Sequence, residues 1–304
     1  MKIKIVMIIV VLLFFGCDSN VLDPIANDSN TDADIEEARI ALNDGDYDDA
    51  ISLMAGKYNA SQPDLEVSRI LASAYMGKAG VDLTYIIENA DTGDSDNFDA
   101  IASALNLETT DAALQSSSSM FYKGSSSTEP KYITYASIAS LLDNLEKAKG
   151  ILDTINDYAQ SINMEPEDDD VVQLGMASAL HFITKVGEAV STVTGYNIPL
   201  NKYAYREIFS VDNDEQTILN NLETYLDENP DIVSSLIGDL TNVYSAVTTL
   251  IDVIGADEDL SNDFDDFMRE LLGLDSNASR VVIEAAIQQY TGKKITQFIQ
   301  NELL

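Results

Sequence analysis

His181 is the only histidine in a chain of 304 residues, and Cys17 is the only cysteine. These two counts limit the chemistry the side chains can do. A Cys/His or Ser/His pair could use only His181, and one imidazole cannot make a His-rich metal site. His181 lies in Ala179-Leu180-His181-Phe182-Ile183, an apolar stretch of predicted helix. A histidine so placed reads as a packing or hydrogen-bonding residue, because catalysis needs an oriented base beside its nucleophile. Asp44, Asp46 and Asp48 alternate as calcium-loop ligands do, but the place for glycine holds Asp49 and the place for a bidentate glutamate holds Ala55. Asp94, Asp96 and Asp99 after Gly93 are incomplete in the same way. The Gly-Lys pairs at 56–57, 77–78 and 292–293 have no glycine-rich run before them to cradle a phosphate. Carboxylates for sugar hydrolysis are set at their working distance by the fold, so their number alone carries no signal. The expectation is a non-enzymatic protein with no catalytic residue, no cofactor and no metal.

Fifty-two acids against seventeen bases give a net charge of −35. Such a surface repels nucleic acid and anionic headgroups, which excludes nucleic-acid partners. The acids are spread over every segment, as a solubilising surface would have them. With no cysteine after Cys17 there is no disulfide, and stability must come from packed apolar faces. A hydrophobic content of 45% is enough for that.

The first twenty residues have a distinct grammar. Lys2 and Lys4 precede an apolar run from Ile5 to Phe15, and Gly16 then stands before Cys17. Eleven apolar residues are too few to cross a bilayer, which takes about 20. Phe14-Phe15-Gly16-Cys17 resembles a bacterial lipobox, with two phenylalanines where leucine and alanine are usual. The resemblance implies a signal peptide over residues 1–16, cleavage before Cys17, and palmitate-type acylation of that cysteine. Residues 17–33 then form the lipidated Cys17 and a polar, flexible tether. The implied place is the cell envelope, lipid-anchored and facing the periplasm. The outer membrane is favoured, and Asp18, an inner-membrane retention residue in enteric bacteria, leaves the inner membrane open.

Residues 34–304 read as one all-α body. Ile35, Ala38, Ala41 and Leu42 recur at helical spacing, and Asn43-Asp44-Gly45-Asp46 breaks the pattern. Tyr47, Ala50, Ile51 and Met54 begin a second apolar face across a turn short enough to make the helices antiparallel neighbours. Pro63-Asp64 opens a third helix with Leu65, Ile70, Leu71, Ala74 and Tyr75 inward, and a fourth follows Gly80. An offset of 34 residues lays Ala38 on Ala72, Ala41 on Tyr75, Tyr47 on Val81 and Ile51 on Tyr85. That period, with Gly45-Asp46-Tyr47-Asp48-Asp49-Ala50-Ile51 and Leu71-Ala72-x-x-Tyr75, resembles the tetratricopeptide (TPR) repeat family. The likeness covers residues 34–90. A third copy in register is absent, so two units must pack on the remainder, a helical bundle over 91–304.

In that remainder, 123–130 reads as a loop. Tyr132–Leu145 and Ala148–Ile162 read as a helix pair. Asp168-Asp169-Asp170 suits a helix start, and Gly195 ends a long helix from Val171. Tyr196–Pro199 is a break. Further helices are expected at 213–227, 231–254, 261–272 and 277–303, the last interrupted near Gly292. No segment shows strand alternation.

The repeat resemblance implies a scaffold that binds a protein or peptide partner on the concave face of its helix pairs. Asn43, Lys57, Arg69 and Lys78 are the candidate contacts. Tyr196, Tyr203, Tyr205 and Arg206 belong to the most aromatic and least acidic stretch, either buried core or a second binding surface. The alternative reading is a small-ligand-binding lipoprotein serving a transporter, which an enclosed pocket lined by Tyr and Phe would favour. The oligomeric state and the partner's identity are left open.

Overall fold

The first helix, α1 (Thr31–Asp44), carries Asp32 and Asp34 in its first turn, where negative charge meets the positive end of the helix dipole. It therefore starts three residues inside the expected tether. The computed structural model describes residues 31–80, 132–133, 135–199, 202–211, 215–254, 265–266, 268–269, 272–275, 277–300 and 304. The leader, Cys17, the helix expected after Gly80 and the loop at 123–130 lie outside these residues. Among the described residues the protein is all-α, with ten helices and one two-residue strand pair. No described helix is long and apolar enough to cross a membrane.

Two turns follow local chemistry closely. α1 ends where Gly45 takes φ +80°, with Asp46 N donating to Ala41 O (2.8 Å) and Gly45 N to Leu42 O (3.2 Å). This double closure satisfies carbonyls that the helix end would leave open. α2 (Tyr47–Ala55) starts at once, so α1 and α2 run antiparallel. α3 (Leu65–Lys78) is capped by Asp64, whose carboxylate accepts from Glu66 N at 3.0 Å and Val67 N at 3.2 Å.

The next element corrects an expectation. Residues 135–161 form one helix, α4 (Tyr135–Ser161), where a pair broken near 146 was predicted. Ile138, Leu141, Leu142, Leu145, Ala148, Ile151, Leu152 and Ile155 are all buried, one apolar stripe that stays in helical register across the supposed break. Glu146 and Lys147 lie on the outer face of that continuous helix. Asn163, at φ +56°, closes the helix with Met164 N on Ala159 O (2.9 Å).

α5 (Asp168–Thr194) begins at the acidic triplet and ends at Gly195, φ +75°, whose N–H donates to Ser191 O at 2.8 Å. Both ends match the sequence expectation. Two short strands do not: β1 (Tyr132–Ile133) pairs antiparallel with β2 (Ile198–Pro199), Tyr132 opposite Pro199. The stretch after it is helical as well, α6 (Lys202–Val211), with Ala204, Tyr205, Ile208 and Phe209 on one buried face. α7 (Glu215–Glu228) and α8 (Pro230–Ile254) follow at the predicted places. α9 (Arg280–Ile287) and α10 (Gly292–Phe298) divide the last predicted helix just ahead of Gly292, where Thr291 caps α10.

The packing runs as a series of layers. α1, α2 and α3 form a ladder in which each helix touches the other two. α3 lies on α4, α4 on α5, and α5 against α8 in the most extensive contact of the fold. α7 packs on α5 and α10. One continuous apolar core runs through all of these layers, from Ile35 to Ile299.

Candidate functional site

Small residues decide the spacing of the N-terminal ladder. Ala38, Ala50 and Ala72 are fully buried, and each lets a neighbouring helix come close. Gly77 on α3 faces the ring of Tyr47 on α2, and a Cβ there would overlap the ring. Ala38 and Ala72, the pair one 34-residue period apart, occupy α1 and α3, which pack on one another as well as on α2.

The cations of the ladder are committed to its own acids. Lys57 Nζ lies 2.5 Å from Asp34 and ties the end of α2 to the start of α1. Lys78 bonds Asp48 and ties the end of α3 to the start of α2. Arg39 lies 2.5 Å from Glu66. Arg69 reaches out of the ladder: Nε and Nη2 donate to the two oxygens of Asp170 at 2.8 and 2.7 Å, and Nη2 is 2.8 Å from Glu167. The hydrogen bond to Asp170 pushes the Arg69 guanidinium above its ordinary range, against the opposing effect of burial. Asp170 is fully buried at the start of α5, so this planar two-pronged pair anchors the ladder to the bundle. Asn43 is exposed on α1. Lys57, Arg69 and Lys78 thus stand at three different junctions and do not converge on one point. On α1 the exposed apolar Ile40 (54%) shares its face with Glu36, Glu37, Asn43 and Asp44.

The aromatic stretch resolves into separate fates. Tyr205 is buried in the core near Gly187, which corrects its place among surface candidates, and burial pushes its phenol well above the ordinary range. Tyr196 is half-buried against the core. Arg206 is exposed and donates from Nε to Leu304 O at 3.2 Å. The Tyr203 side chain lies outside the described residues.

A second polar cluster sits where α4, α5 and α8 meet. His181 Nδ1 lies 2.6 Å from Asp239 Oδ2, and Lys149 Nζ bonds the other oxygen, Asp239 Oδ1. Lys149 Nζ is also 3.3 Å from His181 Nδ1. His181 and Asp239 are fully buried, and the Lys149 side chain is 13% exposed. His181 Nε2 has no hydrogen-bond partner, and Glu146 Oε1 lies 3.6 Å from it. One turn along α4, the Asp153 carboxyl is held above its ordinary range by desolvation first and by Asp157 and Asp239, against Lys149. Sequence reasoning singled out His181 and missed its partners. The available signal was Asp239, the only charge in α8 between Asp231 and Asp252.

Among the described residues no hydroxyl is recorded against the His181 ring. Ser178, one turn from His181 on α5, accepts instead from Asn242 Nδ2 at 3.1 Å. Thr184 Oγ1 donates to Leu180 O. Among the described residues no group of three or more His, Cys, Asp or Glu is placed to hold a metal ion, the Asp44–Asp48 turn included. Comparison with known protein families, with curated proteins and with solved structures finds no match for the chain.

Proposed function

We propose that this chain is a lipid-anchored bacterial envelope protein whose helical body is a non-enzymatic, protein-binding scaffold with a tetratricopeptide-like N-terminal ladder. The observation that carries the reading is the ladder itself: α1 and α3 pack together with Ala38 and Ala72, 34 residues apart, both fully buried, and Tyr47 of α2 lies over Gly77 of α3. The leader resembling a lipobox supplies the anchor at Cys17.

The anchor matters energetically. Holding the body at a membrane raises its effective concentration near other membrane proteins, so a weak contact acts as a strong one. With Lys57, Arg69 and Lys78 already paired, the face offered by α1 is acidic around Ile40 and Asn43. The matching partner segment is cationic with an apolar residue among its charges.

The test is crosslinking and recovery from native membranes, comparing the wild type with Cys17→Ala and with Ile40→Asp. A defined envelope protein captured by the wild type and lost in both variants supports the scaffold. A bound small molecule in the purified protein, with no partner protein, replaces the scaffold with a ligand carrier.

A further inference from the structure

We infer that the outer face of α8 and α9 is a self-association surface on which a second copy of this chain docks. The net charge is −35, and α1 to α7 each expose at least one acid, such as Glu36 on α1, Asp143 on α4 and Asp227 on α7. α8 departs from that rule. After Asp231 in its first turn, its one charge before Asp252 is Asp239, which is buried against His181. The outward residues are Ser234, Gly238, Thr241 and Ser245, one per turn along about 16 Å of helix. Beside them α9 turns Val281 and Val282 outward, 73% and 45% exposed, with Ala285 one turn on. Gln288 of α9 donates from Nε2 to Thr241 Oγ1 at 3.1 Å and joins the two faces. Arg280 and Glu284, one turn apart on α9, border the surface with opposite charges.

Covering this face sacrifices little hydration. Thr241 Oγ1 donates to Ile237 O at 2.9 Å while it accepts from Gln288, so both of its roles are filled. Thr248 Oγ1, further along α8, donates to Tyr244 O at 3.0 Å. These hydroxyls are satisfied within the fold, and the loss of surface water orphans neither donor. Water over Val281 and Val282 is released with a gain, since their side chains make apolar surface. Gly238 has open space where a Cβ would stand. The packing within one copy therefore does not call for glycine there, although glycine weakens a helix interior. With no side chain at that place, a facing helix can approach the α8 backbone closely.

Charge selects the occupant. Two copies of the chain repel wherever acids meet acids, and the α8 stripe is a face on which they do not. A cationic partner finds no row of acids here, unlike the face of α1 around Ile40. Lipid is a poorer match, because burial among headgroups draws on large apolar and basic residues, and the stripe offers hydroxyls and a glycine. A second α8 fits: small residues set against their own image let two helices close up, in a two-fold contact with the same patch on each side. The rest of both bodies stays acidic, so salt strengthens this pairing by screening the repulsion between them. An interface held by ion pairs has the opposite salt dependence.

The experiment is sedimentation equilibrium of the full chain in detergent, at low and high salt, for wild type, Gly238→Glu and Gly150→Glu. Gly150 on α4 is also exposed with open space at its Cβ, but it stands among Glu146, Lys147 and Asp157. Neither new side chain meets an obstacle within one copy, so both variants keep the fold, and the leader is common to all three. The expected result is a reversible monomer–dimer equilibrium in the wild type, tighter at high salt. Gly238→Glu weakens it about tenfold or more, and Gly150→Glu changes it by less than about twofold. A wild type that stays monomeric up to about 1 mM overturns the proposal and leaves the face to another protein or to lipid. So does a dimer that Gly238→Glu leaves intact, or one that salt loosens, since either puts the contact on a different surface.

Discussion

In the α1–α3 ladder the charges stay at the rim and alanines make the contacts; between α4, α5 and α8 the charges are inside. Lys78 and Asp48 pair with side chains 38% and 80% exposed, whereas Asp239 and His181 are sealed from solvent. The two regions use similar residue types at very different cost. A pair at the rim exchanges one well-hydrated state for another and gains little. A buried group loses its water on folding, so its partners must replace all of it. The ladder should therefore tolerate loss of a rim charge such as Asp48, and the bundle should not tolerate loss of a buried one.

The strongest way to break that contrast is Asp239→Ala. It strips the counter-charge from Lys149 and removes the acceptor for His181 Nδ1 in one step. Removing one partner of a buried pair costs about 3–5 kcal/mol. The lower end applies here, about 3 kcal/mol, because Lys149 is partly exposed and can turn its ammonium toward water. Urea denaturation of Asp239→Ala beside Asp48→Ala measures the difference, and Asp48→Ala should lose less than about 1 kcal/mol. Equal losses would mean that burial does not set the cost.

A second contrast concerns close approach. Gly175 on α5 faces Ala246 and the Asn242 carbonyl of α8, and a Cβ there would overlap the Ala246 methyl and sit 3.0 Å from the carbonyl oxygen. At Gly77 in the ladder the nearest atoms are those of the half-buried Tyr47 ring. Each Gly→Ala change gains about 1 kcal/mol of helix propensity. At Gly175 the obstacle includes main chain, so α8 must shift, and overpacking of about 1–3 kcal/mol outweighs the gain. At Gly77 the obstacle is a side chain, which gives way at less cost than main chain, so the loss should be smaller. Thermal melts of Gly175→Ala and Gly77→Ala check this, with the first lowering the midpoint more.

The same two regions differ in how far the sequence discloses them. The ladder's turn at Gly45, the cap at Asp64 and both ends of α5 are written in a few adjacent residues, and each is found where the sequence puts it. Local rules suffice because the hydrogen bonds that satisfy a helix end come from its neighbours. The cluster at His181 joins residues 32, 58 and 90 positions apart, and no periodicity reports on that. Glu146 and Lys147 interrupt the apolar residues of α4 along the sequence. Only the packing on both α3 and α5 shows them to be the outer face of one helix. β1 and β2 are two residues each, too short for any alternation to register. Tyr205 was one of four aromatic and basic residues grouped by composition, and composition does not say which face of α6 is inside.

Within the ladder, Arg69 and Lys78 separate a cation that anchors from one that decorates. Both sit on α3, nine residues apart, and both bond an aspartate on another helix. Asp170 is 1% exposed and Asp48 is 80% exposed, so the acids left behind by mutation meet different surroundings. Lys78→Ala leaves Asp48 in water and should change stability by less than about 1 kcal/mol, an effect that added salt screens away. Arg69→Ala leaves a buried carboxylate at the start of α5, where the Glu167 carboxylate brings no positive charge and the helix dipole offsets about 2 kcal/mol at most. Denaturation at low and high salt for the two variants sharpens the comparison. A salt-sensitive trace of an effect for Lys78→Ala beside a larger, salt-insensitive loss for Arg69→Ala places the boundary between rim and core at Arg69, inside the ladder. If the two losses match, the anchoring of the ladder on α5 is no stronger than a surface ion pair, and α3 must be held on the bundle by its apolar contacts with α4 alone.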